Sequence, residues 1–185
     1  LILGDNLFHG NDLLTNFLKA SSNHKGGTIF AYSVSDPERY GVATFDKQDK
    51  LVNIVEKPTK SISPWAITGL YFYDESVVEK AKTLRPSERG ELEITDLNIL
   101  YLKEGSLKVE KLGRGNVWLD TGNFDSLHEA SSYIRTLENR QGLKVGCPEE
   151  VAWRQGFIND KQLENNAKSQ LKSGYGEYLM KLIVN

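Results

Sequence analysis

Cysteine is nearly absent: a single Cys147 in 185 residues rules out an internal disulfide, and no cysteine and histidine cluster has zinc-like spacing. Cys147 therefore reads as a small buried apolar residue rather than a catalytic thiol, and a cytoplasmic setting is expected. Long apolar runs are also lacking. Stretches such as 67–73 fall far short of the ~20 residues that cross a bilayer, and no charged start followed by an apolar stretch opens the chain. Neither a membrane nor a targeting segment is expected. Charge of one sign is missing as well: 23 Lys and Arg against 25 Asp and Glu leave a net -2, with no basic tract to follow a phosphate backbone. A nucleic acid polymer is thus excluded as the expected partner. There is no internal repeat, low-complexity tract or linker, so a single domain over 1–185 is expected.

What is present is alternation of strand and helix. The opening Leu1-Ile2-Leu3 followed by Gly4-Asp5-Asn6 reads as the end of a buried strand releasing polar side chains at its carboxyl edge, where open α/β sheets collect ligands. A helix is expected over 11–21, from the apolar spacing of Leu13, Leu14, Phe17 and Leu18. Strands follow over 27–34, 41–45, 51–56 and 68–74, separated by polar turns. Helices are predicted at 75–84 and 91–102, the second with Ser87 as its cap. A strand at 107–112 leads to a second acidic edge, Trp118-Leu119-Asp120-Thr121-Gly122. From 123 onward the periodicity is helical only, at 126–139, 148–155, 160–171 and 174–184. The expected fold is a three-layer α/β body with a mixed sheet over 1–122, incomplete at its amino end, followed by a helical tail over 123–185.

Several residues could carry chemistry. Asp5 and Asp120 each end an apolar strand in a polar turn, and two such carboxylates suffice for Mg2+, which takes its remaining oxygens from water and phosphates. Spacing alone equally supports two aspartates that accept backbone hydrogen bonds in their turns. Glu56-Lys57-Pro58 sends out an acceptor for a sugar hydroxyl beside a point charge for phosphate; a solvated hairpin end fits the tripeptide too. In Tyr40-Gly41 a ring borders a position without a side chain, where a backbone can approach a ligand, and Thr68-Gly69-Leu70-Tyr71 repeats the theme with a phenol that can serve a pocket wall or the core. Arg89, in the loop 86–90, has a fork suited to phosphate or to a surface salt bridge. Glu150 and Arg154 stand one helical turn apart, as an intrahelical ion pair would.

Taken in order, Leu3-Gly4-Asp5-Asn6, Asp36-Pro37-Glu38-Arg39-Tyr40-Gly41-Val42, Glu56-Lys57-Pro58, Thr68-Gly69-Leu70-Tyr71-Phe72-Tyr73, the stretch 86–95 and Gly113-Arg114-Gly115 to Gly122 resemble the glucose-1-phosphate thymidylyltransferases of the sugar-1-phosphate nucleotidyltransferase family. The resemblance implies a nucleotide-diphospho-sugar transferase-like, Rossmann-like fold. It implies a Mg2+-dependent reaction of dTTP with glucose 1-phosphate that yields dTDP-glucose and pyrophosphate, by in-line attack of the sugar phosphate on the α-phosphorus, in dTDP-rhamnose and polysaccharide biosynthesis. It assigns Asp5 and Asp120 as metal ligands, Glu56 and Gly41 to glucose, and Lys57 and Arg89 to its phosphate, with Tyr40, Ile67, Tyr71 and Trp118 lining the pocket. It further implies a homotetramer inhibited by a dTDP-sugar near His9, Gly10, Glu150 and Arg154. The family's glycine-rich, arginine-bearing phosphate loop has no counterpart here, which leads to the expectation that this polypeptide alone binds sugar phosphate and metal weakly and turns over no nucleotide. Two rivals stay open: a non-catalytic regulatory or oligomerisation remnant, and a pyrophosphorylase using UTP or CTP or a sugar transferase.

Overall fold

The computed structural model describes residues 1–23, 25–60 and 62–184. The chain divides into two compact units, Leu1–Ala130 and Ser131–Asn185, where the sequence suggested a subdivision of one domain at 122/123.

The first unit is built on a five-stranded sheet from β2 (Gly27–Ser33), β3 (Gly41–Phe45), β4 (Leu51–Glu56), β5 (Trp65–Tyr73) and β6 (Leu107–Leu112), in the order β4-β3-β5-β2-β6. Only β2 and β6 run parallel, so the sheet is mixed, as expected. Successive side chains on a strand point to opposite faces, and both faces of β2 are covered. Ile29 and Ala31 pack with Ala43, Ile54, Ile67 and Tyr71, and Ile94 at the start of α3 (Ile94–Lys103) joins them. On the other side Phe30 meets Leu13 and Ala20 of α1 (Leu13–Ser21), together with Leu70 and Leu112. Helix, sheet and helix thus form three layers. Each fully buried Ile or Phe contributes about 1.5–3 kcal/mol, and burial on both sides explains why 27–34 reads as continuously apolar. The sheet also curls. Lys111 on edge strand β6 pairs with Asp49 in the β3–β4 turn and lies 3.7 Å from the ring centre of Phe45 and 4.6 Å from that of Trp65.

Two details differ from the sequence reading. Leu1, Ile2 and Leu3 run antiparallel to β5, with Leu3 N–H on Gly69 O and Tyr71 N–H on Leu1 O, but the three side chains are exposed rather than buried. The residues that follow, to which the sequence reading gave no element, form a strand, β1 (Asn6–Gly10), paired antiparallel with β7 (Asn116–Asp120). A five-residue strand whose partner lies far along the chain leaves little local signal. Ser87 is not the cap of α3 either: Glu93 holds that position, and the Ser87 hydroxyl donates to its side chain at 2.9 Å.

The first unit also holds α2 (Val77–Thr83) and a short 3-10 helix at Pro37–Arg39, and α4 (Phe124–Gln141) begins there and ends in the second unit. Within the second unit α5 (Pro148–Arg154), α6 (Asp160–Ser169) and α7 (Tyr175–Val184) enclose Cys147, Leu163, Ala167 and Leu179. Cys147 is the buried apolar residue expected, with its sulfur 3.0 Å from the Tyr175 hydroxyl. Helix α6 starts on a capping box, in which Asn159 accepts from Gln162 N–H and the Gln162 side chain accepts from Asn159 N–H.

Asp74 ties the entry of β2 to both helices below it. Its carboxylate accepts from Gly26 N–H at 2.6 Å, the Ser76 hydroxyl at 2.5 Å and the Tyr101 hydroxyl at 3.0 Å. These bonds, that from Ser76 foremost, lower its pKa from 3.8 to about 2. A carboxylate favoured by the fold stabilises it fully above the unfolded pKa and ceases to do so as pH falls toward the folded value. The chain is expected to lose stability between pH 3.8 and about 2 by a step that Asp74→Asn removes, measured as urea midpoints across that range; equal acid sensitivity in both proteins would show that Asp74 has no such part.

Candidate active site

The antiparallel register of β1 and β7 sets Asn6 opposite Asp120, so Asp5 emerges beside the end of its partner strand. Thr121, 116 positions away, fastens this junction by donating both its N–H and its hydroxyl to Asp5 O at 2.8 Å. The two carboxylates converge on Gly122: a Cβ there would lie 3.3 Å from Asp120 Oδ1 and 3.6 Å from Asp5 Oδ2. The turn-residue alternative is realised in part, since Asp120 Oδ1 also accepts from Gly122 N–H at 3.3 Å and Asp5 Oδ1 accepts from the Asn6 amide at 3.0 Å. Among the described residues no group of three or more His, Cys, Asp and Glu side chains could hold a metal ion. A carboxylate pair with water access fits the needs of Mg2+, which asks for only one or two protein oxygens.

Asp5 and Asp120 border a cavity of about 420 Å³ whose wall also includes Tyr40, Gly41, Glu56, Lys57, Ile67, Tyr71 and Trp118. The fold therefore brings together residues from β1, β3, β4, β5 and β7. On the β4 side, Glu56 Oε2 accepts from the Thr95 hydroxyl at 2.5 Å. This contact explains Gly41, opposite Glu56 in the β3–β4 pair: a Cβ there would meet Thr95 Oγ1 at 2.9 Å and Glu56 Oε2 at 3.3 Å. The missing side chain makes room for a hydrogen bond within the protein, at a position that also borders the cavity. Lys57 has φ of 38°, a left-handed conformation costly for a residue with a Cβ, and its N–H donates to Tyr40 O at 3.0 Å.

The aromatic wall is tied together by its own contacts. Tyr40 and Trp118 meet edge to face with ring centres 4.9 Å apart, and the Trp118 indole donates to Asn6 Oδ1 at 2.6 Å. That same oxygen accepts from Gly69 N–H at 2.9 Å. Burial, and then the charge of Glu56, raise the Tyr71 pKa far above its usual value, so its phenol stays neutral.

Arg89 is not part of the wall. It sits among three carboxylates, 3.2 Å from Glu91, 3.6 Å from Glu93 and 3.9 Å from Glu56, so the salt-bridge alternative describes its place in this structure. His9 and Gly10 belong to β1 in the first unit, and Glu150 and Arg154 to α5 in the second. Glu150 forms the expected i,i+4 pair with Arg154 at 2.8 Å and also accepts from the Tyr178 hydroxyl.

Among the cavity residues that went unassigned in the sequence are Thr95 and Arg39. Thr95 had a signal only in its position at the start of a helix, and Arg39 looked like one more charge in a polar turn. Asn6 was noted only as a neighbour of Asp5, although it joins β1, β5 and β7.

Comparison with known proteins adds to this geometry. Residues 1–136 match the model of the nucleotidyl transferase family. The chain is 51% identical over 183 residues to a glucose-1-phosphate thymidylyltransferase of Neisseria meningitidis, covering 99% of this chain and 64% of that protein. Identity is 55% to the protein of that name from Mycolicibacterium smegmatis, with 99% and 63% covered. The chain thus spans less than two thirds of the length of these relatives. Among solved structures, a Bacillus anthracis protein assigned as a glucose-1-phosphate thymidylyltransferase and crystallised with sucrose aligns with a TM-score of 0.64 at 41% identity, over 72% of this chain and 53% of that one. A UDP-glucose pyrophosphorylase bound to UDP-glucose has the same TM-score at 20% identity, over 73% and 55%, and speaks for the fold alone.

The packing of Asn6 yields a test. A Cβ on Gly69 would come within 2.5 Å of Asn6 Oδ1, so Gly69→Ala is expected to cost about 1–3 kcal/mol and to shift the Trp118 emission as the indole loses its partner. Because the clash is with Asn6, Asn6→Ala and Gly69→Ala together should be less harmful than their sum by about 1 kcal/mol. Additive losses in urea unfolding would show that Gly69 is needed for another reason.

Proposed function

The chain belongs to the nucleotidyl transferase family, and from that premise we propose that it is the sugar-phosphate and metal-binding part of a glucose-1-phosphate thymidylyltransferase, joining dTTP and glucose 1-phosphate into dTDP-glucose and pyrophosphate. The observation that carries this reading is the meeting of Asp5 and Asp120 on a cavity that also holds Glu56 and Lys57. The choice of thymidine rests on similarity to named thymidylyltransferases.

On this reading Asp5 and Asp120 would hold Mg2+, which would supply positive charge to the reacting phosphates. Lys57 offers a mobile ammonium to the sugar phosphate. Arg89 joins it by turning from the exposed Glu91, a pair of the kind worth only about 0–1 kcal/mol. Glu56, held by Thr95, accepts from a sugar hydroxyl, and the neutral Tyr71 phenol is available as a donor. Tyr40 and Trp118 flank the sugar and exclude water. The nucleophile is an anionic phosphate oxygen that needs no general base, so the residues act by positioning and by charge neutralisation. The same reading includes a cytoplasmic homotetramer and inhibition by a dTDP-sugar. No helix among the described residues is long and apolar enough to cross a membrane.

Calorimetric titration with glucose 1-phosphate in Mg2+ tests the proposal. Saturable binding is expected, weakened at least about tenfold by Asp120→Asn, which removes one of two charged ligands, and similarly by Lys57→Ala. Binding of dTDP-glucose that ignores both changes, with no binding of glucose 1-phosphate, would favour a regulatory remnant instead.

A further inference from the structure

Arg39 lines the cavity yet has no part in the reading above. Its guanidinium is held from several sides. One nitrogen donates to Asp36 Oδ2 at 2.9 Å, and the other donates to the Ser126 hydroxyl at 3.4 Å. The guanidinium carbon lies 5.3 Å from the centre of the Tyr40 ring. The nitrogen near Ser126 also faces Asp120 Oδ2 at 3.9 Å, too far for a hydrogen bond but within ion-pair range. Asp36 is the main support of its charge, and Asp120 adds to it. A guanidinium does not lose its proton in proteins, so this charge is permanent.

Two carboxylates that converge on one spot repel each other, and Arg39 offsets part of that repulsion from beside Asp120. A bare divalent ion drawn to the pair therefore meets a fixed positive charge as well. The same ion accompanied by a phosphate brings its own negative charge, which cancels most of the penalty. Resting on the metal reading given above, we propose that Arg39 is the resident counter-ion of the Asp5 and Asp120 pair, keeping affinity for a bare divalent ion low so that the ion enters together with an anionic phosphate. It is a positioning and charge-balancing residue, without contact to the reacting atoms.

The test is titration of the chain with Mg2+ alone at low salt, followed by calorimetry. Arg39→Gln should tighten Mg2+ binding on the order of tenfold, the repulsion expected between a divalent and a monovalent cation a few ångströms apart in a water-like medium. The gain should shrink as added salt screens exposed charges. Arg39→Lys keeps the charge and should stay within about threefold of the parent chain. The unaltered chain gives a second readout that no folding defect can blur: saturating inorganic phosphate should tighten its binding of Mg2+. Unchanged or weaker Mg2+ binding by Arg39→Gln, or no effect of phosphate on the parent chain, would overturn the inference. Asp120→Asn separates it from the reading beneath. If that variant binds Mg2+ as well as the parent does, the metal site itself is wrong; if it loses Mg2+ while Arg39→Gln changes nothing, only the counter-ion role fails.

Discussion

Everything at the site depends on the antiparallel pairing of β1 with β7. Neither strand belongs to the larger sheet, and together they act as a two-stranded brace whose end carries both aspartates. Pairing fixes which residues sit opposite each other, because a slip of one residue would turn every side chain to the other face. Asn6 secures that register from the side. Its one amide oxygen takes hydrogen bonds from Gly69 on β5 and Trp118 on β7, while its nitrogen holds Asp5. The ribbon is thereby referenced to the main sheet.

Two glycines around the cavity are explained by the protein's own side chains. Gly41 leaves space for the contact between Thr95 and Glu56, and Gly69 leaves space for Asn6. In both cases a backbone position gives up its Cβ so that a polar group from a distant segment can hydrogen bond out of water, where an unmet partner would cost about 1–3 kcal/mol. The result is preorganisation: Glu56 and Trp118 are already oriented by neighbours that are themselves held.

This is also where sequence reading reached its limit. Strands β3, β4 and β6 were legible to the residue because their apolar alternation ends in polar turns, and helices α5 to α7 to within two residues because their spacing is regular and their ends carry proline, asparagine or glycine. The pair Asp5 and Asp120 could be named but not joined, since no local pattern encodes a pairing across more than a hundred residues. Leu1 to Leu3 misled for a related reason, apolar character being a poor guide to burial where only backbone bonds to β5 are made. Ser87 lost its expected place because Glu93 begins the helix, a boundary that differs by only a few residues but changes which group caps. Thr95 and Arg39 gain meaning only from what faces them, and their partners Glu56 and Asp120 lie 39 residues away in one case and on another strand end in the other.

The charges of the site divide by burial. Glu56 is bound to Thr95, whose residue is 3% exposed, so its orientation is costly to disturb. Arg89 is different: its shortest contact is with Glu91 of its own loop at 3.2 Å, a pair that water reaches on both sides. Exposed pairs of this kind contribute little and exchange readily. On the proposed reading this matches what each half of the ligand requires. Sugar hydroxyls are neutral and similar to one another, and telling them apart calls for fixed partners that are left unsatisfied by the wrong sugar. Phosphates are charged, strongly attracted and displaced during the reaction, so cations that can let go of one anion for another suit them better than cations locked in place.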